Sequence, residues 1–221
     1  MRLHTAKKAD WDKEGPRNVW QKIASKSYGT LTPANIASIG GAVVAIYGLL
    51  LIIDGNIVSG LALVAIGRFA DLVDGIIAEY TKTKSPLGEI IDASMDKIVM
   101  GFALIVFIGI GLMPWPLIAI VAMQNIANIM ISVVARLRNK IIHPSRLGKL
   151  ATAFSWVALI FYPFGDWLRN ENNELLGMGF IFLALVFFTA YLLMGAKASL
   201  HYGHSIYSPR KTKQTEPDVL K

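Results

Sequence analysis

Six stretches of nearly unbroken apolar character divide the chain, at roughly 34–53, 56–78, 88–112, 115–137, 148–167 and 175–196. Each is near the ~20 residues that a helix needs to cross a bilayer. Polar breaks between them are short: Asp54-Gly55 parts the first pair, and Met113-Pro114 parts the third and fourth. Links of that length make antiparallel neighbours. The pattern predicts an all-α integral membrane protein with six transmembrane helices. Ahead of the first, EGPRNVWQKIASKSYG predicts an N-terminal amphipathic interfacial helix. Pro16 suits a first turn, Val19, Trp20 and Ile23 share a face, and Arg17, Lys22 and Lys26 are polar. A solvated basic tail is the alternative for that stretch. The division expected is 1–33 as a basic tail with the interfacial helix, 34–197 as one six-span domain, and 198–221 as a basic, disordered tail.

Composition sharpens this. Of the 221 residues, 54% are hydrophobic and only 17% charged, against about 25% charged in a soluble domain. Mean hydropathy is +0.49. The net charge of +7 fits basic cytoplasmic flanks better than nucleic-acid binding. Basic residues fall in alternate segments. Arg2, Lys7, Lys8, Lys13, Arg17, Lys22 and Lys26 precede the first span, and Lys82 and Lys84 follow the second. Arg136, Arg138, Lys140, Arg146 and Lys149 follow the fourth, while Lys197, Arg210, Lys211, Lys213 and Lys221 follow the sixth. The opposite links contribute Arg169. An even span count puts all the basic segments on one side, so both termini are expected in the cytoplasm. No apolar core lies in the first 30 residues, so the first span is expected to direct insertion. Cysteine is absent, which excludes disulfides and thiolate metal sites.

One stretch breaks the apolar pattern: DLVDGIIAEYTKTKSPLGEIIDASMD, from Asp71 to Asp96. Asp71 and Asp74 are i,i+3; Gly88, Asp92 and Asp96 are i,i+4,i+8, so each set shares a helix face. Pro86 and Gly88 are expected to turn the chain between them. Four carboxylates then face a common space near the cytoplasmic surface. A lone Asp at a helix centre costs roughly 2.5–3.5 kcal/mol, so four need compensation. Arg68 and Lys97 cancel at most half of the charge. Two hard dications, Mg²⁺ or Mn²⁺, would supply the rest through carboxylate oxygens; no His falls in the cluster to suit zinc. The bland alternatives are a capping Asp74, an Asp96–Lys97 pair, and a Gly75 used for close helix packing.

Written as a pattern, the stretch is D-x2-D-G-x2-A-x9-G-x3-D-x3-D. It resembles the signature of the CDP-alcohol phosphatidyltransferases, D-x2-D-G-x2-A-R, a variable gap, then G-x3-D-x3-D. Asp71, Asp74, Gly75, Ala78, Gly88, Asp92 and Asp96 match. The likeness extends over nearly the whole chain, including LTPANIASIG and PSRLGKLAT, the latter similar to the bacterial phosphatidylglycerophosphate synthase branch. The resemblance implies a divalent-metal-dependent transferase of phospholipid synthesis. It would move a phosphatidyl group from CDP-diacylglycerol to an alcohol, release CMP, and sit as a homodimer in the inner cell membrane with its site facing the cytoplasm. It implies Asp71, Asp74, Asp92 and Asp96 as metal ligands and Asp96 also as the base for the acceptor hydroxyl. Asp71, Asp74, Gly75, Ala78 and Gly88 would bind the nucleotide. One position departs: the family Arg after the Ala is Glu79 here. A carboxylate there repels a diphosphate, and Lys82 or Lys84 is the candidate substitute.

The acceptor needs a separate pocket. ARLRNKIIHPSRLGK brings cations to the same membrane face, and Arg136, Arg138, Arg146 and Lys149 are candidate ligands for a phosphorylated acceptor. Ordinary basic loop residues that snorkel are the alternative. His143 reads as an exposed loop residue, and Trp156 and Phe161 as span packing or lipid-facing. Glycerol 3-phosphate is the favoured acceptor, with inositol phosphate or another alcohol as runner-up. A divalent-cation transporter is the reading from a different class, and a non-catalytic paralogue is a third, for which Glu79 is the hint.

Overall fold

A computed structural model describes residues 15, 18–83, 85–138 and 146–207, without the side chains of 72, 86, 89, 136, 146 and 204–207. The expectations for Pro16, Arg17, Lys84, Lys140, His143, the first fourteen residues and 208–221 lie outside the described residues. Seven helices and no strand occur among those described. They are α1 (Val19–Lys26), α2 (Pro33–Ile53), α3 (Ile57–Tyr80), α4 (Pro86–Gly109), α5 (Trp115–Leu137), α6 (Arg146–Asn170) and α7 (Glu174–Tyr207).

Local chemistry sets several of these ends. Thr32 caps α2 by accepting from the Asn35 N–H at 3.1 Å, with Pro33 opening the first turn. Ser85 caps α4 the same way through the Gly88 N–H at 2.9 Å. Gly55, at φ +86, closes the turn between α2 and α3. In α1 a capping box pairs Asn18 with Gln21. The same two side chains reach across to the loop after α3, Asn18 to the Thr81 carbonyl and Gln21 to that of Lys82, both at 3.1 Å.

Two expectations change, at Gly88 and beyond residue 197; among the described residues, α1 starts at Val19 on an Asn18 cap. Its buried residues are Gln21 and Ala24, while Val19, Trp20 and Ile23 face outward. Gly88 lies inside α4, and the chain turns before it at Thr81 and Lys82, where Lys82 takes φ +52. The last helix continues through Tyr207, so residues 198–207 are helical.

Small residues let the helices close up. A Cβ at Gly48 would lie 2.6 Å from the Gly60 carbonyl oxygen, and one at Gly41 would lie 2.7 Å from that of Gly67. That contact holds α2 against α3, where α2 can reach the acids. Gly165 approaches Gly177 in the same way between α6 and α7. There Phe161 and Phe180 pack edge to face at 5.4 Å. Between α5 and α7, Gln124 donates to Ser199 at 2.8 Å, and Ser199 donates to Asn128 at 2.9 Å. Leu49, Ile52, Val64, Val99, Phe107, Ile118 and Leu159 fill the centre.

The outside is apolar too. Val43, Phe69, Ile105, Met123, Phe182 and Leu193 are all exposed, a surface that lipid satisfies and water does not. Four helices, α2, α5, α6 and α7, are long and apolar enough to cross a bilayer. These features describe a multi-pass membrane protein. The helices α3 and α4, each of 24 residues, carry the acids.

Candidate active site

Helix spacing delivers the carboxylates and helix packing gathers them. Asp71 and Asp74 descend on α3; Asp92 lies on α4, in phase with Gly88 from the Ser85 cap onward. Asp71, Asp74 and Asp92 each offer an oxygen within 4.8 Å of the others. Asp74 is buried and accepts a hydrogen bond from Ser38 of α2. Asp71 and Asp92 are half-buried. Clustered carboxylate oxygens, one of them fixed by a neighbouring hydroxyl, suit a hard divalent cation.

Asp96 is placed differently. Arg68 Nη1 donates to its Oδ1 at 2.7 Å, and Trp156 Nε1 donates to the same oxygen at 3.3 Å. The other Arg68 terminal nitrogen lies 3.5 Å from Asp71. The guanidinium carbon stands 4.9 Å from the Trp156 ring centroid, in cation–π contact. Three acids are thus together, and the fourth is paired beside them. Compensation comes from Arg68, which is 8% exposed, while Lys97 faces outward. Trp156 is not idle packing: it is buried and touches the site. Phe161 does pack as expected, against Phe180. The signal for Arg68 was its charge in the middle of apolar α3, one turn before Asp71. Trp156 carried no comparable signal.

Other expected positions separate. Gly75 is exposed, and a Cβ added there would meet nothing within 4 Å. Ala78 is half-buried, and Glu79 and Lys82 are exposed. Gly88 instead packs on α2, where a Cβ would fall 2.8 Å from Asn35 Oδ1. Arg138 and Lys149 are exposed; the side chains of Arg136 and Arg146 lie outside the described set. A cavity of about 840 Å³ lies elsewhere, around Asn172, Asn173, Glu174, Leu175 and Phe180 at the α6–α7 link. It contains none of the clustered acids.

The family model for CDP-alcohol phosphatidyltransferase matches residues 30–194, which include all four aspartates and Arg68. No solved structure matches the chain. A match over most of the chain, together with the gathered aspartates, places this protein in the CDP-alcohol phosphatidyltransferase family, as a membrane phosphotransferase.

Proposed function

We propose that the enzyme transfers a phosphatidyl group from CDP-diacylglycerol to glycerol 3-phosphate and releases CMP. The observation that carries this reading is the Asp71–Asp74–Asp92 cluster, with oxygens within 4.8 Å, inside a chain of this family. The proposed topology has α2 to α7 as six spans, α1 in the interface, and both termini cytoplasmic, in keeping with the alternating Lys and Arg. The proposed domain is 34–197 in the inner cell membrane. There the lipid tails stay in the bilayer while CMP and a polar acceptor exchange with the cytoplasm. A homodimer belongs to this reading by resemblance.

Asp71, Asp74 and Asp92 would hold the divalent ion, with Asp96 as a further carboxylate; the reading is two ions, Mg²⁺ or Mn²⁺. Bound metal would neutralise the diphosphate and stabilise CMP as it leaves. The acceptor oxygen attacks the lipid-side phosphorus, the bond to the CMP oxygen breaks, and the acceptor proton passes to Asp96. Open space at Gly75 supports a nucleotide beside α3, with Ala78 beside it and Lys82 and Lys84 supplying charge. Arg136, Arg138, Arg146 and Lys149 would hold the acceptor phosphate. Inositol phosphate is the alternative acceptor. In the transporter reading, polar groups would continue across the bilayer. Asp54, Glu171 and Glu174 are instead exposed at the far ends of the helices.

The test is CMP release from CDP-diacylglycerol by the purified protein, with a panel of acceptors, with and without Mg²⁺ or Mn²⁺. Release that requires glycerol 3-phosphate and metal supports the proposal. Metal uptake into sealed vesicles without any CMP release would overturn it in favour of transport.

A further inference from the structure

The Arg68–Asp96–Trp156 arrangement does more than neutralise a charge. Arg68 is buried, and its Nε–H has no hydrogen-bond partner among the described residues. Leaving a buried donor unmet is costly, and a guanidinium beside a carboxylate cluster has little reason to bear that cost unless a further acceptor arrives. Asp96, meanwhile, has both its donors on one oxygen, Oδ1. They hold it on Arg68 and Trp156, beside the three clustered acids.

The geometry points to an exchange. In the empty site Arg68 and Trp156 hold Asp96 aside. When the site fills, Asp96 leaves Arg68 for the cation side, and the freed guanidinium takes a substrate diphosphate oxygen. Arg68 is then a positioning residue for Asp96 and a phosphate ligand in turn. This also answers Glu79. A chain with a carboxylate at that exposed position has a buried arginine three turns earlier on α3, within 3.5 Å of Asp71. Arginine's planar fork suits both partners, a carboxylate first and a phosphate afterwards. The inference rests on the proposed metal-dependent transfer.

The experiment measures binding, not turnover. Full-length protein in detergent is titrated with Mn²⁺ alone, read by electron paramagnetic resonance. It is then titrated with CDP in the presence of Mn²⁺, read by calorimetry. Arg68→Met removes the cation and releases Asp96, so Mn²⁺ should bind about tenfold tighter, since a like charge near the site has gone. CDP should bind about tenfold more weakly, for loss of a charged hydrogen bond. Trp156→Phe keeps a ring over Arg68 and removes only the N–H; Mn²⁺ should tighten by about threefold with CDP unchanged. A purely structural Arg68 predicts the opposite sign, weaker Mn²⁺ binding with loss of stability. Unchanged or weaker Mn²⁺ binding in the variants overturns the exchange. If Arg68→Met fails to fold, Trp156→Phe decides alone. Tighter Mn²⁺ with unaltered CDP affinity in Arg68→Met overturns the phosphate role. If wild-type protein binds no Mn²⁺, the metal reading of the three acids itself fails, a result distinct from the others.

Discussion

Ser38 on α2 hydrogen-bonds the carboxylate of Asp74 on α3, so a helix bearing no acid of the signature fixes one that does. The bond is possible because Gly41 and Gly48 let α2 lie against the backbone of α3. Ser38 is itself buried. Contacts of this kind, one step behind a metal ligand, change affinity by about 10–100-fold when removed. Ser38→Ala should therefore weaken Mn²⁺ binding by roughly that factor while the protein keeps its elution volume. Calorimetric titration of both proteins checks it.

The three gathered acids should tolerate neutralisation worst. Asp71→Asn, Asp74→Asn and Asp92→Asn each remove a charged oxygen donor from a set spanning 4.8 Å. Each should reduce CMP release by at least ~10²-fold, beyond the usual effect of an outer contact. Thermal stability without metal should hold or rise, since a like-charge repulsion is relieved. Radiolabelled CMP assays beside melting curves in EDTA separate the two effects.

Two glycines of the signature should behave oppositely. Gly75→Ala adds a methyl where nothing lies within 4 Å, so the fold should be unaffected and any loss should appear in CDP affinity. Gly88→Ala places a Cβ 2.8 Å from Asn35 Oδ1. That side chain also donates to the carbonyls of Gly29 and Thr30, at 3.0 and 2.9 Å, so it cannot move freely. Overpacking of this sort costs about 1–3 kcal/mol. Melting temperatures should fall for Gly88→Ala and not for Gly75→Ala.

The α2–α3 contact should be equally strict. Gly48→Val would drive a branched side chain into the Gly60 carbonyl and the Leu63 side chain. The helices would separate, and Ser38 would lose Asp74. A drop in melting temperature with loss of Mn²⁺ binding is the expected pair of results. Retention of both would show that the close approach is dispensable.

The tie between α1 and the loop before α4 gives a further prediction. Asn18→Ala removes the cap on the Gln21 N–H, at 2.7 Å, and the bond to the Thr81 carbonyl. Loss of a cap costs about 1 kcal/mol, roughly a fivefold change in a local opening equilibrium. Amide hydrogen exchange across residues 19–26 should quicken by about that factor, with the spans unaffected.

Much of the architecture is legible in one dimension because a helix writes its faces at fixed intervals. Asp71 and Asp74, or Gly88 and Asp92, share a face whatever surrounds them. Runs of apolar residues the length of a bilayer mark α2, α5, α6 and α7 directly. Helix ends are less legible. The first turn of α1 is closed by the Asn18–Gln21 capping box, which the hydrophobic pattern does not mark. Nothing in SLHYGHSIY marks a break, and α7 runs through it.

The chain's own spacing determined that acids would lie in rows along two neighbouring helices, because i,i+3 and i,i+4 positions stack without help from any other segment. Only the tertiary structure decided that three of them meet while Asp96 is drawn away. Arg68 stands 28 residues from Asp96, and Trp156 stands 60 from it. Whether such groups touch depends on how closely helices cross, which glycine-to-backbone contacts set and residue spacing does not encode.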